Sequence, residues 1–304
     1  MPHRRPSAGP RIVSLVPNAT EILFAIGAGD LVVGVSHECD YPPAARLLPQ
    51  LTRSALSSGL TASEVDAAVS AQLESGKSLY QLDERQLAAL RPDLLFTQEL
   101  CAVCAVSTAQ VEAAITPLAH CPQLVSLDPR TLPDVLADVL SVGEVVGRRM
   151  EARRLRDSLD RRLDALRAAL AGRARPRVAA LEWLDPPFLG GHWVPEMIAA
   201  AGGDDIFAKP GESSTRVQWS VIEAADPDVV VAMPCGFDEA GAIAQIAGIP
   251  TTAPWHRLRA VRTGKAFAVD ANGCFSRPGP RLVDGIERLA GLFHPSADLE
   301  ARRP

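Results

Sequence analysis

Apolar residues gather in short runs rich in Val, Ile and Leu: "RIVSLVP" (11–17), "LVVGVS" (31–36), "DLLFTQ" (93–98) and "LVSLD" (124–128). Between most of them the apolar positions recur at helical spacing. This alternation predicts a mainly parallel sheet with crossover helices. The pattern returns in "RVAALEW" (177–183), "DVVVAMP" (228–234) and "KAFAVD" (265–270), so a second α/β lobe is predicted. Between the two sets, Leu155, Leu159, Leu163, Leu166 and Leu170 fall at steps of three or four among charged positions, the mark of one amphipathic helix. At 1.5 Å per residue it spans ~36 Å, and Gly172 and Pro176 close it. The expected division is an N-terminal α/β lobe over 11–147, a connecting backbone helix over 148–172 and a C-terminal α/β lobe over 173–295. The fold class is α/β, two Rossmann-like lobes with mainly parallel sheets joined by one long helix.

After the first run, "PNATEILFAIGAGD" predicts a helix capped by Asn18 or Thr20, with Glu21 in its first turn and Gly27 at its end. Gly27, Gly29 and Gly34 therefore follow that helix instead of joining strand to helix, so they are no dinucleotide fingerprint. There is no Gly-Lys-Ser/Thr phosphate loop either, and nucleotide-dependent chemistry has no support.

Composition narrows the partners. The 304 residues are 47 % hydrophobic and 22 % charged, with a net charge of −5 drawn from both signs, and no large basic patch invites nucleic acid. No apolar stretch reaches the ~18 residues of a bilayer span, so no membrane insertion is expected. The opening "MPHRRPSAGPRIVSLVPNAT" lacks the apolar region of about 7 to 15 residues found in signal peptides. Six scattered cysteines suit a reducing compartment. A cytoplasmic monomer is the expectation, or a periplasmic or extracellular one if the start is trimmed.

In open α/β sheets ligands bind beyond the carboxyl ends of the strands. The loops that follow the predicted strands are rich in chemistry: "VPNAT" (16–20), "SHECDYP" (36–42), "TQELCAVCAVS" (97–107), "EWLDPPFLGGHWVPE" (182–196), "MPCGFDE" (233–239) and "DANGCFSRPGPR" (270–281). These segments, in this order, resemble the helical-backbone substrate-binding proteins of ABC transporters, which carry cobalamin, haem and iron–siderophore chelates. "RIVSLVPNATEILFAIGAGDLVVGVSHECDYPP" resembles their opening strand–helix–strand. "LAALRPDLLFTQ" and "VIEAADPDVVVAMPCG" resemble the helix–Pro-Asp–strand unit of each lobe, and "GKAFAVDANGCFSRPGPRLVDGIERLAGLFHP" their closing strand, loop and helix. "SLVPNATEIL" and "RPGPRLVDGIE" lean toward the cobalamin-binding branch. The resemblance implies a corrinoid or related metal chelate held in a cleft between two lobes, no required cofactor, and an ABC permease as partner.

The residues themselves suggest who meets such a ligand. A corrin or porphyrin is a large, partly apolar disc that aromatic faces bury well. Trp183, Phe188 and Trp193 are expected to be exposed to the ligand, with Tyr41 and Tyr80 opposite, while Trp219 and Trp255 open helical patterns and are expected in the core. Asn18, Ser36, Gln98 and Asn272 suit ligand amides, and Arg277 suits carboxylates or phosphates. His37 and His192 each have an imidazole that suits a metal. If neighbouring loops converge, His37, Cys39, Cys101 and Cys104 form a Cys₃His set suited to zinc; three buried thiols with a hydrogen-bonded histidine, or a dithiol pair, read the same way. The rival function is a cytosolic thiol- or metal-dependent enzyme using His37, Cys101 and Cys104.

Overall fold

The computed structural model describes residues 9–56, 60–74, 78–99, 106, 108–118 and 120–295. In chain order the first half holds β1 (Ile12–Ser14), α1 (Pro17–Ala25), β2 (Val32–Val35), β3 (Thr52–Ser54), α2 (Ala62–Glu74), β4 (Tyr80–Leu82), α3 (Glu84–Leu90), β5 (Leu94–Thr97), α4 (Thr108–Ile115), β6 (Gln123–Ser126), α5 (Leu132–Val145) and α6 (Arg149–Leu170). The second half holds β7 (Arg177–Leu184), β8 (Pro187–Leu189), α7 (Val194–Ala200), β9 (Asp204–Asp205), β10 (Thr215–Arg216), α8 (Trp219–Ala225), β11 (Val229–Ala232), α9 (Glu239–Ala247), α10 (Arg259–Arg262), β12 (Ala266–Ala268), α11 (Ala271–Cys274) and α12 (Leu282–Phe293). Two compact units result. The first takes the described residues up to Leu60 with Ala67–Pro129 and Leu136–Arg156; the second takes Thr61–Asp66, Arg130–Val135 and the chain from Asp157 on.

In the first unit a parallel sheet runs β2-β1-β5-β6. Its inner strands, β1 and β5, are buried along their length. Val13, Leu15 and Leu95 pack with Leu51, Leu87, Val106 and Val111 as the core. β1 lies between β2 and β5, so the chain leaves it in opposite directions and the carboxyl end of β1 is the topological switch point. A separate antiparallel pair, β3 with β4, lies outside this sheet.

In the second unit β7, β11 and β12 are parallel, while β8 and β10 extend the sheet antiparallel beyond β7 and β9 pairs with the start of β7. Leu181, Leu184, Val230, Ala232 and Ile222 form its core with Trp255, which is 2 % exposed, and the half-buried Trp219 packs edge-on against Trp255 at 5.8 Å. The amphipathic α6 is tied to α12 within this unit: Arg162 donates to both carboxylate oxygens of Glu287 at 2.8 Å and to Asp284 at 2.5 Å. A planar guanidinium held bidentately is a geometrically strict join.

One local expectation is corrected. Neither Asn18 nor Thr20 caps α1. The N-cap is Val16, with Pro17 as first helical residue and no side-chain cap, and Glu21 lies beyond the first turn. Pro17 needs no N–H partner and has its φ preset, so the helix begins there without a polar cap. Gly27 does end the helix, at φ +70°, where a side chain is strained.

Candidate functional site

At the carboxyl rim of the first sheet small polar groups bond one another. The Thr20 hydroxyl lies 2.8 Å from Ser14 Oγ and 3.1 Å from Cys39 Sγ; that sulfur is 3.3 Å from Ser36 Oγ and 3.8 Å from Ser14 O. Ser36 Oγ also accepts from Glu38 N at 3.2 Å. Ser36 and Cys39 are buried, at 3 % and 1 % exposure. Cys39 is thus a packed, hydrogen-bonded thiol beneath the rim, and His37 points elsewhere: its Nδ1 is 2.7 Å from Thr52 Oγ1 and its ring faces Tyr80 at 5.6 Å. His37 Nε2 lies 3.3 Å from Glu38 Oε1, near enough for an ion pair though without hydrogen-bond geometry.

Two groups at the switch point are different. Asn18 is 1 % exposed, and among the described residues neither oxygen nor nitrogen of its amide has a partner. Thr97, at the end of β5, is fully buried with its hydroxyl equally unpaired. Buried polar groups left so cost about 1–3 kcal/mol each, a cost natural structures accept at functional positions. Gln98 beside Thr97 is buried, and Tyr41 stands exposed at 45 %.

The rim of the second sheet is aromatic. Trp183, half-buried at the end of β7, donates its indole N–H to Asp185 O at 3.1 Å and packs 6.0 Å from Phe237, which follows β11. Phe237 O accepts from Asn272 N, after β12, at 2.9 Å. Three strand ends therefore bring two rings and the Asn272 backbone together. Phe188 is also half-buried and lies under the Arg216 guanidinium at 5.2 Å. Trp193 corrects the expectation of an exposed ring: it is 6 % exposed, and its indole donates to Phe275 O at 2.7 Å. Arg277, in the same loop as Phe275, is buried as well.

His192 sits before α7 with φ +54°. Its N–H donates to Glu212 O at 2.6 Å and its carbonyl accepts from Gly211 N at 3.0 Å. A Cβ on the preceding Gly191 would fall 2.6 Å from Glu212 O, so only glycine admits this close approach. Burial, and next the positive Arg130, holds the imidazole below the usual histidine value.

The zinc reading gains no support. Cys101 and Cys104 lie outside the described residues, Cys39 is committed to Thr20 and Ser36, and among the described residues no group of three or more His, Cys, Asp or Glu is placed to hold a metal ion.

Reading from residue types missed Thr97 and Phe237. Thr97 is betrayed only by its place at a strand end, Phe237 by a lone ring in the loop "PCGFD".

Two α/β units whose strand ends carry unpaired polar groups and clustered rings define a ligand-binding protein. A family model described as "Periplasmic binding protein" matches residues 12–272, and the chain belongs to that family. It is 24 % identical over 288 residues to a vitamin B12-binding protein of Vibrio cholerae, covering 94 % of this chain and 89 % of the relative. A cobalamin-binding protein of Halobacterium salinarum is 27 % identical over 290 residues, covering 93 % and 69 %. Among solved structures, the periplasmic vitamin B12-binding protein BtuF of Vibrio cholerae superposes with a TM-score of 0.68 at 22 % identity, covering 95 % of this chain and 98 % of that one. The periplasmic heme-binding protein RhuT of Roseiflexus, in apo form, gives 0.67 at 25 % identity, covering 96 % and 100 %. The family settles the class against the thiol- or metal-dependent enzyme: this is a substrate-binding protein. It also overturns the cytoplasmic expectation, which rested on the N-terminal segment, because the family is one of periplasmic binding proteins. No helix among the described residues is long and apolar enough to cross a membrane.

Proposed function

We propose that this protein binds a corrinoid, or a closely related planar metal chelate, and delivers it to an ABC permease. The observation that carries this reading is the second rim, where Trp183 and Phe237 supply flat apolar faces beside Asn272. A corrin ring needs both, since its disc is apolar and its edge bears amides. The first rim adds the Asn18 amide and the Thr97 hydroxyl, unpaired among the described residues, and Ser36, His37, Tyr41, Tyr80 and Gln98 are its other ligand-side candidates. On the second, Phe188, His192 and Arg277 are further ligand-side candidates. Relatives named for vitamin B12 and cobalamin match over nine-tenths of this chain, which supports the corrinoid over other chelates. The working division is an N-terminal α/β lobe over 11–147, a connecting helix over 148–172 and a C-terminal α/β lobe over 173–295.

Equilibrium titration with cyanocobalamin, hemin and a ferric siderophore tests the proposal. Cyanocobalamin is expected to bind tightest, at micromolar affinity or better, about −8 kcal/mol. Failure of all three to bind below about 100 μM would sink the reading.

A further inference from the structure

The second unit holds a cavity of about 460 Å³. It is lined by Leu132 at the start of α5, Leu163 and Leu170 of α6 and the end of α7, with Arg167, Arg173 and Arg175 around it. All of these residues belong to that one unit. Arg175 stands two residues before β7, and Trp183 lies near the other end of that strand. Eight steps of ~3.3 Å separate them along the chain, so the cavity opens at the amino end of the sheet, opposite its carboxyl rim. Leu132 and Leu170 are buried and the three arginines are exposed, which gives an apolar floor beneath a charged edge.

The walls are tied in place. Glu196 of α7 accepts from the Leu132 N–H at 2.6 Å, and Arg162, one residue before Leu163, is held by Glu287 and Asp284 of α12. Arg175 donates to Asp204 at 2.6 Å, to Ala199 O at 3.3 Å and to Gly203 O, and so closes the carboxyl end of α7. Preformed sites for small molecules have this character, apolar with a few polar groups and ~300–1,000 Å³ in volume.

The three guanidinium charges are unequally spent. Arg175 has Asp204, and Arg167 has Asp164 at 2.6 Å. Arg173 has no carboxylate within ion-pair distance among the described residues. Its side chain donates there only from Nε, to Ala169 O at 3.4 Å, which leaves most of its N–H donors unused.

We propose that this cavity binds a medium-chain fatty carboxylate, with the alkyl tail among Leu132, Leu163 and Leu170 and the carboxylate on Arg173. A planar guanidinium takes a carboxylate bidentately, and leucine walls bury a single alkyl chain. The site is separate from the chelate-binding rim and stands independently of it.

Isothermal titration of the full chain with decanoate and dodecanoate tests the proposal, with acetate and dodecyltrimethylammonium alongside. Dodecanoate is expected to bind about tenfold tighter than decanoate, because two more methylenes are buried, and acetate not measurably. Arg173→Gln should weaken dodecanoate about tenfold at an unchanged melting temperature, and Arg173→Lys, which keeps the charge, should recover part of the loss. Ala200, half-buried at the end of α7, also lines the cavity, so Ala200→Phe should weaken dodecanoate by filling it. Saturating cyanocobalamin should leave dodecanoate binding unchanged. Absence of dodecanoate binding, equal affinity for decanoate, or equal affinity for dodecyltrimethylammonium would overturn the proposal. So would dodecanoate affinity that Arg173→Gln or Ala200→Phe leaves unchanged, and competition with cyanocobalamin would place the fatty acid at the rim instead.

Discussion

The carboxyl rim of the four-stranded sheet is made of hydroxyls, a thiol and amides; that of the six-stranded sheet is made of rings. In the first, Ser14, Thr20, Ser36 and Cys39 satisfy one another, and Asn18 and Thr97 have no partner among the described residues. In the second, the polar atoms of Trp183 and Trp193 are both bonded to backbone carbonyls, and what remains on offer is aromatic surface. The first rim keeps two polar groups unpaired among the described residues and the second keeps aromatic surface, and each is a kind of capacity that a ligand can use. The difference teaches where to look for function: in what a rim leaves unpaired, more than in which residue types it holds.

The largest test separates two tryptophans that the sequence presents alike. Trp193→Ala removes a buried ring and strands Phe275 O, so it should cost about 3–5 kcal/mol of stability in urea denaturation. Trp183→Ala, half-buried at the rim, should cost about 1–2 kcal/mol and weaken cobalamin binding. If both variants lost the same stability, the separation of core ring from ligand-facing ring would be broken.

The first rim gives the next effect, and its sign matters. Cys39→Ala takes the sulfur from beneath Thr20 and Ser36 and should destabilise by about 1–3 kcal/mol. Asn18→Ala deletes an amide that is buried and unpaired. The folded chain then no longer carries that desolvation cost, so stability should hold or rise by up to about 1 kcal/mol, while ligand affinity drops. A loss of stability in Asn18→Ala comparable to that in Cys39→Ala would show the amide to be structural.

These contrasts also mark how far the sequence could be read. The parallel strands stand out because each is a continuous apolar run, and the order of runs carries both sheets. β3 with β4, and β8 with β10, are pieces of two or three residues in which no period is visible; the helix α2 separates the first pair. Asn18 beside Pro17 looks like a cap, because a polar residue at a helix start reads alike whether it bonds the backbone or faces a ligand. Trp183 and Trp193 flank the same loop, and only the fold, by bringing Phe275 to Trp193, tells them apart. Left-handed His192 follows two glycines, a sign of a tight turn that says nothing of how far the ring is buried.

The smallest effect probes the second rim by pH. Burial and Arg130 lower the folded-state value of His192, so on acidification the unfolded chain takes up its proton first, near the unperturbed value of about 6.5. Stability from this group is therefore complete above that value, declines as the pH falls from there toward the lowered folded value, and changes no further below it. The two lowered carboxylates act in a different window. Asp228, lowered by the Arg177 backbone N–H and then by Arg259, and Asp93, lowered chiefly by the Arg11 backbone N–H, keep their contributions until the pH falls to about 4. Calorimetric melting of the ligand-free protein at about pH 7.5 and 5.5 reads the histidine as the difference between the two chains: the unmodified chain should lose more of its melting temperature between the two than His192→Asn does. Equal losses in both would mean that the ring is free to turn into water in the unliganded state, and the second rim would then be less preorganised than its backbone implies.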